Sequence, residues 1–122
     1  MAVSAYDPEN IFAKILRGEI PCKKVFENEW ALAFHDIGSK APVHVLVIPK
    51  KPYVSFVDFS ARASEDEITG FTRTVGHVAT ALGLDEPGYR LISNVGPDSG
   101  QEVPHFHVHL LGGRRLGALV SP

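Results

Sequence analysis

His105-Phe106-His107-Val108-His109-Leu110-Leu111-Gly112-Gly113 places three histidines at every second position near the C-terminal end of the chain. Three of the six histidines of the whole sequence fall within these five residues. In an extended strand, alternate side chains point to the same side, with neighbours on that side about 6.5–7 Å apart. The spacing predicts a row of three imidazoles on one face, with Phe106, Val108 and Leu110 anchoring the other. A helix would send i and i+2 in different directions and lose the row. Imidazole is a good base and nucleophile that is only marginally charged near neutral pH. Three of them side by side are costly in a core and useful in a site, so the function is expected here.

Upstream of the row, Tyr89-Arg90-Leu91-Ile92-Ser93 reads as a strand, and Asn94-Val95-Gly96-Pro97-Asp98-Ser99-Gly100-Gln101 as a turn-rich loop joining the two. The clearest helix lies before them. Ser64 with Glu67 three residues later makes a capping-box pattern, and Ile68, Phe71, Val75, Val78 and Leu82 follow at helical spacing up to Gly83. His77 falls opposite that stripe and is expected to face solvent. Val25-Phe26 and Trp30 to His35 read as two strands turning at Asn28-Glu29, with Trp30, Leu32 and Phe34 on one face and Ala31, Ala33 and His35 on the other. His44 to Ile48 is a further strand, closed by Pro49. Asp7-Pro8 is expected to start a short amphipathic helix bearing Ile11, Phe12, Ile15 and Leu16, with Gly18 as its stop. The pattern is α+β: a five-stranded, mostly antiparallel sheet with two main helices packed on one side.

The 122 residues make a single domain, 1–122, with a core of about 8–114 and a short tail at 115–122. A hydrophobic share of 44% and a charged share of 21% describe an ordinary globule. The net charge of −2 provides no basic field for nucleic acid, and the lone Cys22 allows no internal disulfide. No secretory signal is visible, and no apolar run approaches the roughly 20 residues that span a bilayer. The expectation is a cytoplasmic protein with neither nucleic-acid nor membrane partners.

Three chemistries compete for the row. Histidines can be structural, each satisfied by hydrogen bonds. Two at i and i+2 can share a zinc ion, with His44 as a further ligand, although there is no cysteine pair and no clear carboxylate partner. Or a neutral imidazole can attack phosphorus while its neighbours and backbone N–H groups hold the oxygens. The loop Ser99-Gly100-Gln101-Glu102-Val103 would let the backbone approach an anion.

The run Gly100-Gln101-x-Val103-x-His105-x-His107-x-His109-Leu110-Leu111-Gly112-Gly113 resembles the signature of the histidine-triad (HIT) nucleotide-binding superfamily. The resemblance extends from about Ile11 to Arg114. Ile11-Phe12-Ala13-Lys14-Ile15, Ala33-Phe34-His35-Asp36-Ile37, Ala41-Pro42-Val43-His44, Val47-Ile48-Pro49-Lys50-Lys51 and Tyr89-Arg90 with Asn94 and Gly96 all look like its Hint branch. The resemblance implies the HIT fold and a homodimer whose two sheets join into ten strands. It also implies hydrolysis of purine nucleoside 5'-phosphoramidates to the nucleoside monophosphate and an amine, with no metal or other cofactor. Its nearest rival in the superfamily is a dinucleoside polyphosphate hydrolase, and a nucleotide-sensing binding module is the rival outside enzymology.

Residue by residue, the likeness makes His107 the nucleophile and His109 a phosphate holder, with His105 and His44 orienting the row. It puts Asp36 at the ribose hydroxyls and lets Phe12, Ile15, Phe34, Ile37 and Leu46 enclose the base, with the backbone of His35 beside it. Asn94, Gly100, Gln101, Glu102 and Val103 match positions around the phosphate. Two departures stand out. Glu102 occupies a place where some Hint proteins carry a serine that aids protonation of the leaving amine, and a carboxylate there is expected to point outward. The tail from Arg114 to Pro122 has no tryptophan of the kind some relatives place by the site.

Overall fold

Five short strands carry the alternation just described into a single antiparallel sheet. The computed structural model of the chain describes residues 5–120. Its strands are β1 (Lys24–Glu27), β2 (Ala31–His35), β3 (Val43–Pro49), β4 (Arg90–Ile92) and β5 (Val108–Gly112), in the spatial order β1-β2-β3-β5-β4. The central register pairs Leu46 with His109 and Phe34 with Leu46, so these three residues share one face of the sheet. Four helices complete the fold: α1 (Ile11–Leu16), α2 (Phe56–Arg62), α3 (Glu65–Ala81) and the single turn α4 (Gly96–Ser99).

The expectation of helices on one side is corrected: both faces are covered. Ala31, Ala33, Val45, Val47 and Leu110 face α2 and α3, where Phe59, Phe71, Val75 and Val78 complete the larger core. Leu32, Phe34, Leu46 and Ile48 turn the other way and bury Phe12 of α1. The reason lies in β2 and β3, which are apolar at consecutive positions and are buried on both faces.

Local chemistry accounts for the ends of the helices. α3 carries the full capping box, with Ser64 Oγ accepting from Glu67 N and the Glu67 carboxylate accepting from Ser64 N. α1 begins later than the sequence suggested. Asp7 forms its own turn, accepting from Glu9 N at 2.9 Å, and Asn10 is the cap that accepts from Ala13 N at 2.9 Å. α2 was not anticipated, although Ser55-x-x-Asp58 is a start signal of the [ST]-x-x-[DE] kind. The bond that is made differs from a capping box: Asp58 accepts from Val54 N and pairs with Arg62 one turn on.

Trp30 also departs from expectation. It lies ahead of β2 and packs on α3, so close to Gly70 that a Cβ there would sit 2.3 Å from the indole. His77 is exposed as expected, though its ring lies against Phe26 at 4.7 Å. Of the tail, Ser121 and Pro122 lie outside the described residues. Before them, Arg90 donates to the carbonyls of Gly117 and Ala118, tying the tail to the edge strand.

Candidate active site

The histidine row straddles the start of β5 instead of lying wholly within a strand. Only His109 belongs to β5; His105 and His107 precede it. The backbone at this point leaves the sheet, because Phe106 N donates to Tyr53 O at 2.7 Å and not to a neighbouring strand. Alternation nevertheless survives. Phe106 enters the large core between Phe59 (ring centroids 4.8 Å apart) and Phe71 (5.3 Å), while the histidines turn towards α1. Phe12 of α1 meets the His107 ring edge-on at 4.9 Å.

Each ring is held by partners that fix where its proton sits. His105 Nε2 lies 3.1 Å from the carbonyl of Pro49, which can only accept, so Nε2 carries the hydrogen. Nδ1 of a neutral His105 is then an acceptor, and it receives the hydroxyl of Tyr6 at 2.6 Å. His107 Nδ1 lies 2.7 Å from the carbonyl of His105 and must donate to it. The other nitrogen of His107, Nε2, has a lone pair that no group among the described residues engages.

A second chain of bonds runs through His44. Lys40 N donates to His44 Nδ1 at 3.0 Å, so the hydrogen of neutral His44 is on Nε2, and it points at His109 Nδ1, 2.9 Å away. His109 therefore carries its own hydrogen on Nε2, where it can donate to an anion. The His107 and His109 rings are 5.0 Å apart. A lone pair and an N–H donor thus stand side by side.

Burial keeps these rings uncharged. It drives His105 down to about 4, against the opposing pull of the Pro49 carbonyl. It drives His109 to about 4 as well, helped by the neighbouring His107 and His44. His107 and His44 are both lowered, again by burial first, with Asp36 working in the opposite direction on each. A buried imidazole that loses hydration favours its neutral form. The row is neutral at pH 7.

The other residues singled out from sequence divide into two groups. Phe12, Phe34 and Leu46 are buried together on the α1 face, and Ile15 and Val103 pack against them. Asp36 Oδ2 stands 3.3 Å from His44 Nε2, at the same end of the row. Ile37, by contrast, is 97% exposed and encloses nothing within one chain, because it sits at the turn that follows β2. His35 is exposed at the end of β2. Glu102 is exposed and points outward as expected, and Asn94 is half-buried after β4.

Gly100 closes α4 with a left-handed φ of +76° that glycine adopts without strain. Gln101 is a staple of the loop: its Oε1 accepts from Gly96 N, and its Nε2 donates to the carbonyls of Val54 and Val103.

Among the described residues, Asp36, His44 and His109 bring one potential ligand atom each within 4.8 Å of one another, a geometry that could hold a cation. Asp36 supplies the carboxylate partner that could not be picked out from the residues alone. The hydrogen bonds between these groups use the same lone pairs that a metal would need. Tyr6 escaped sequence reasoning altogether, since nothing in Ala5-Tyr6-Asp7 marks it as a partner of a residue 99 positions away.

A groove of about 610 Å³ lies on the opposite side of the sheet, between α2, α3 and β4. Its walls include Phe56, Ile68, Leu91 and Val108. It contains no ionisable group apart from the Tyr89 phenol, so it suits an apolar partner better than a phosphate.

The model of the HIT domain matches residues 17–116. An uncharacterized HIT-like protein of Azospirillum brasilense is 63% identical over 116 residues, covering 95% of each chain. The purine nucleoside phosphoramidase of Escherichia coli is 42% identical over 113 residues, covering 93% of this chain and 94% of the relative. Among solved structures, a histidine triad protein from Clostridium difficile superposes with a TM-score of 0.85 at 40% identity, covering 95% of this chain and 100% of that one. With its row of histidines leading into β5 and these likenesses along nearly its whole length, the chain belongs to the HIT family.

Proposed function

We propose that the chain is a nucleotide-binding hydrolase that cleaves the P–N bond of purine nucleoside 5'-phosphoramidates through a nucleotidyl-histidine. The observation that carries this reading is the lone pair of His107 Nε2, left free because its Nδ1 hydrogen is tied to the His105 carbonyl. His107 Nε2 attacks the phosphorus, the P–N bond breaks, and the amine leaves with a proton taken from solvent. The positive charge arising on the His107 ring is met by the His105 carbonyl at Nδ1. His109 Nε2–H donates to a non-bridging oxygen, and Asp36 accepts from the ribose. Water then attacks phosphorus, releases the nucleoside monophosphate and restores His107. The likeness to the phosphoramidase of Escherichia coli supports this choice of leaving group.

No metal is required by this scheme, and activity is expected to survive a chelator unchanged. The working form is a homodimer in the cytoplasm. Support for a dimer comes from β4, an edge strand whose Leu91 is 49% exposed beside the apolar groove, a surface that a second copy would cover. Among the described residues, no helix is long and apolar enough to cross a membrane.

The decisive experiment is mass spectrometry of a turnover mixture quenched with an adenosine phosphoramidate as substrate. A nucleotidyl adduct is expected on the peptide containing His107 and absent from His107→Ala. An active enzyme that never shows the adduct, or a His107→Ala protein that keeps its rate, would remove the proposal. Offering a dinucleoside polyphosphate in parallel identifies the preferred leaving group.

A further inference from the structure

The residues that match the HIT domain begin at position 17, yet the most buried ring of the row is completed by a residue before that boundary. His105 is 0% exposed. Its Nε2–H is committed to the Pro49 carbonyl, which leaves Nδ1 as a buried acceptor in need of a donor. Tyr6 supplies it from the N-terminal segment, with its ring edge-on to His105 at 5.5 Å.

The segment that carries Tyr6 is itself built in. Asn10 Nδ2 donates to Asp7 O at 2.7 Å, and Arg17, at the far end of α1, donates to Pro8 O at 2.7 Å. Bonds to the two carbonyls that follow Tyr6 hold the segment that brings the phenol to the row.

We propose that Tyr6 is a positioning residue of the histidine row: its hydroxyl locks His105 as the Nε2–H tautomer, and His105 in turn presents the carbonyl that aims His107. His105 is 0% exposed, so its ring has no room to turn towards another donor unless the packed surroundings and its own main chain shift, and the carbonyl bonded to His107 Nδ1 moves with that main chain. A phenol is well suited to the task. It donates strongly and stays neutral, and its ring covers the imidazole from water. The part of this inference that concerns turnover rests on the hydrolase reading above; the part that concerns the tautomer does not.

The test uses the full chain with 15N-labelled histidine and compares wild type with Tyr6→Phe, which keeps the ring and loses only the hydroxyl. Two-bond proton–nitrogen spectra, assigned with His105→Gln, are expected to show His105 protonated at Nε2 with a hydrogen-bonded Nδ1. In Tyr6→Phe the Nδ1 signal moves towards that of an unbonded ring nitrogen, or the two nitrogens average. Identical His105 signals in the two proteins would overturn the proposal.

With an adenosine phosphoramidate, Tyr6→Phe is expected to lower kcat about tenfold, as loss of a buried hydrogen bond allows. KM should stay within about twofold, and the loss should vanish in a His105→Gln background. A changed KM with unchanged kcat, or an equal loss in both backgrounds, would refute a role exerted through His105. Should the wild type fail to hydrolyse any phosphoramidate, the hydrolase reading falls and the spectra alone decide the place of Tyr6.

Discussion

The two sides of the segment from His105 to Leu110 make an instructive pair. Towards α3 it presents Phe106 and Leu110, which are 3% and 0% exposed in an ordinary apolar core. Towards α1 it presents three imidazoles, two of them equally buried, with every ring tied to a named donor or acceptor. Burial does different work on the two sides. On the apolar side it supplies stability in proportion to area. On the polar side it strips the rings of charge and makes each hydrogen bond obligatory, since an unmet buried group is expensive. Among the described residues no fully buried side-chain nitrogen or oxygen lacks a partner, so the ring nitrogens left without one, His107 Nε2 and His109 Nε2, are those that a ligand can reach.

Substitutions on the two sides should therefore fail in opposite ways. His107→Ala is expected to cut turnover by about a thousandfold or more, as loss of a nucleophile does. It should leave nucleotide binding close to wild type and lower the melting temperature less than Phe106→Ala does, as calorimetry would record. Phe106→Ala should do the reverse in its first effect, lowering stability by about 3–5 kcal/mol in urea titrations. If the alanine at Phe106 spared stability but abolished turnover, the division of labour between the faces would be wrong.

Acid should expose the contrast more gently. His105 and His109 have folded-state values near 4, below the ordinary imidazole value of about 6.5. The unfolded chain therefore binds more protons than the native one between these limits, and native stability rises with pH across that window. The stabilisation is complete above pH 6.5 and is lost as the pH falls towards 4. Melting temperatures recorded from pH 7 to pH 4 should fall, and replacing His105 with glutamine should flatten the fall. The smallest effect concerns α3 and Trp30. Gly70→Ala would improve helix propensity by about 1 kcal/mol. The indole 2.3 Å from the new Cβ should reverse the sign, giving a net loss of about 1–2 kcal/mol.

How much of this could be read from the residues alone follows the range of the physics. The alternation in His105 to Leu110, the capping box at Ser64 and the helical stripe from Phe71 to Val78 are local patterns, and each was legible because its partners lie within one turn or one pleat. Phe12, Phe34 and Leu46 are buried together on the side of the row, as part of one apolar cluster. What escaped depends on distant partners. Trp30 looked like a strand residue until Gly70 opened a place for it on α3. Ile37 looked like part of an enclosure, yet its turn carries it into solvent. The proton positions on the row are set by Pro49, Lys40 and Tyr6, none of which carries a local mark of that role.

The staple made by Gln101 has a consequence for how a ligand would be received. Its amide already spans Gly96, Val54 and Val103, so the loop flanking the histidines takes its shape during folding. Such a loop has little disorder left to surrender on association, and selectivity must then arise from fit to a rigid frame and not from closure around the guest.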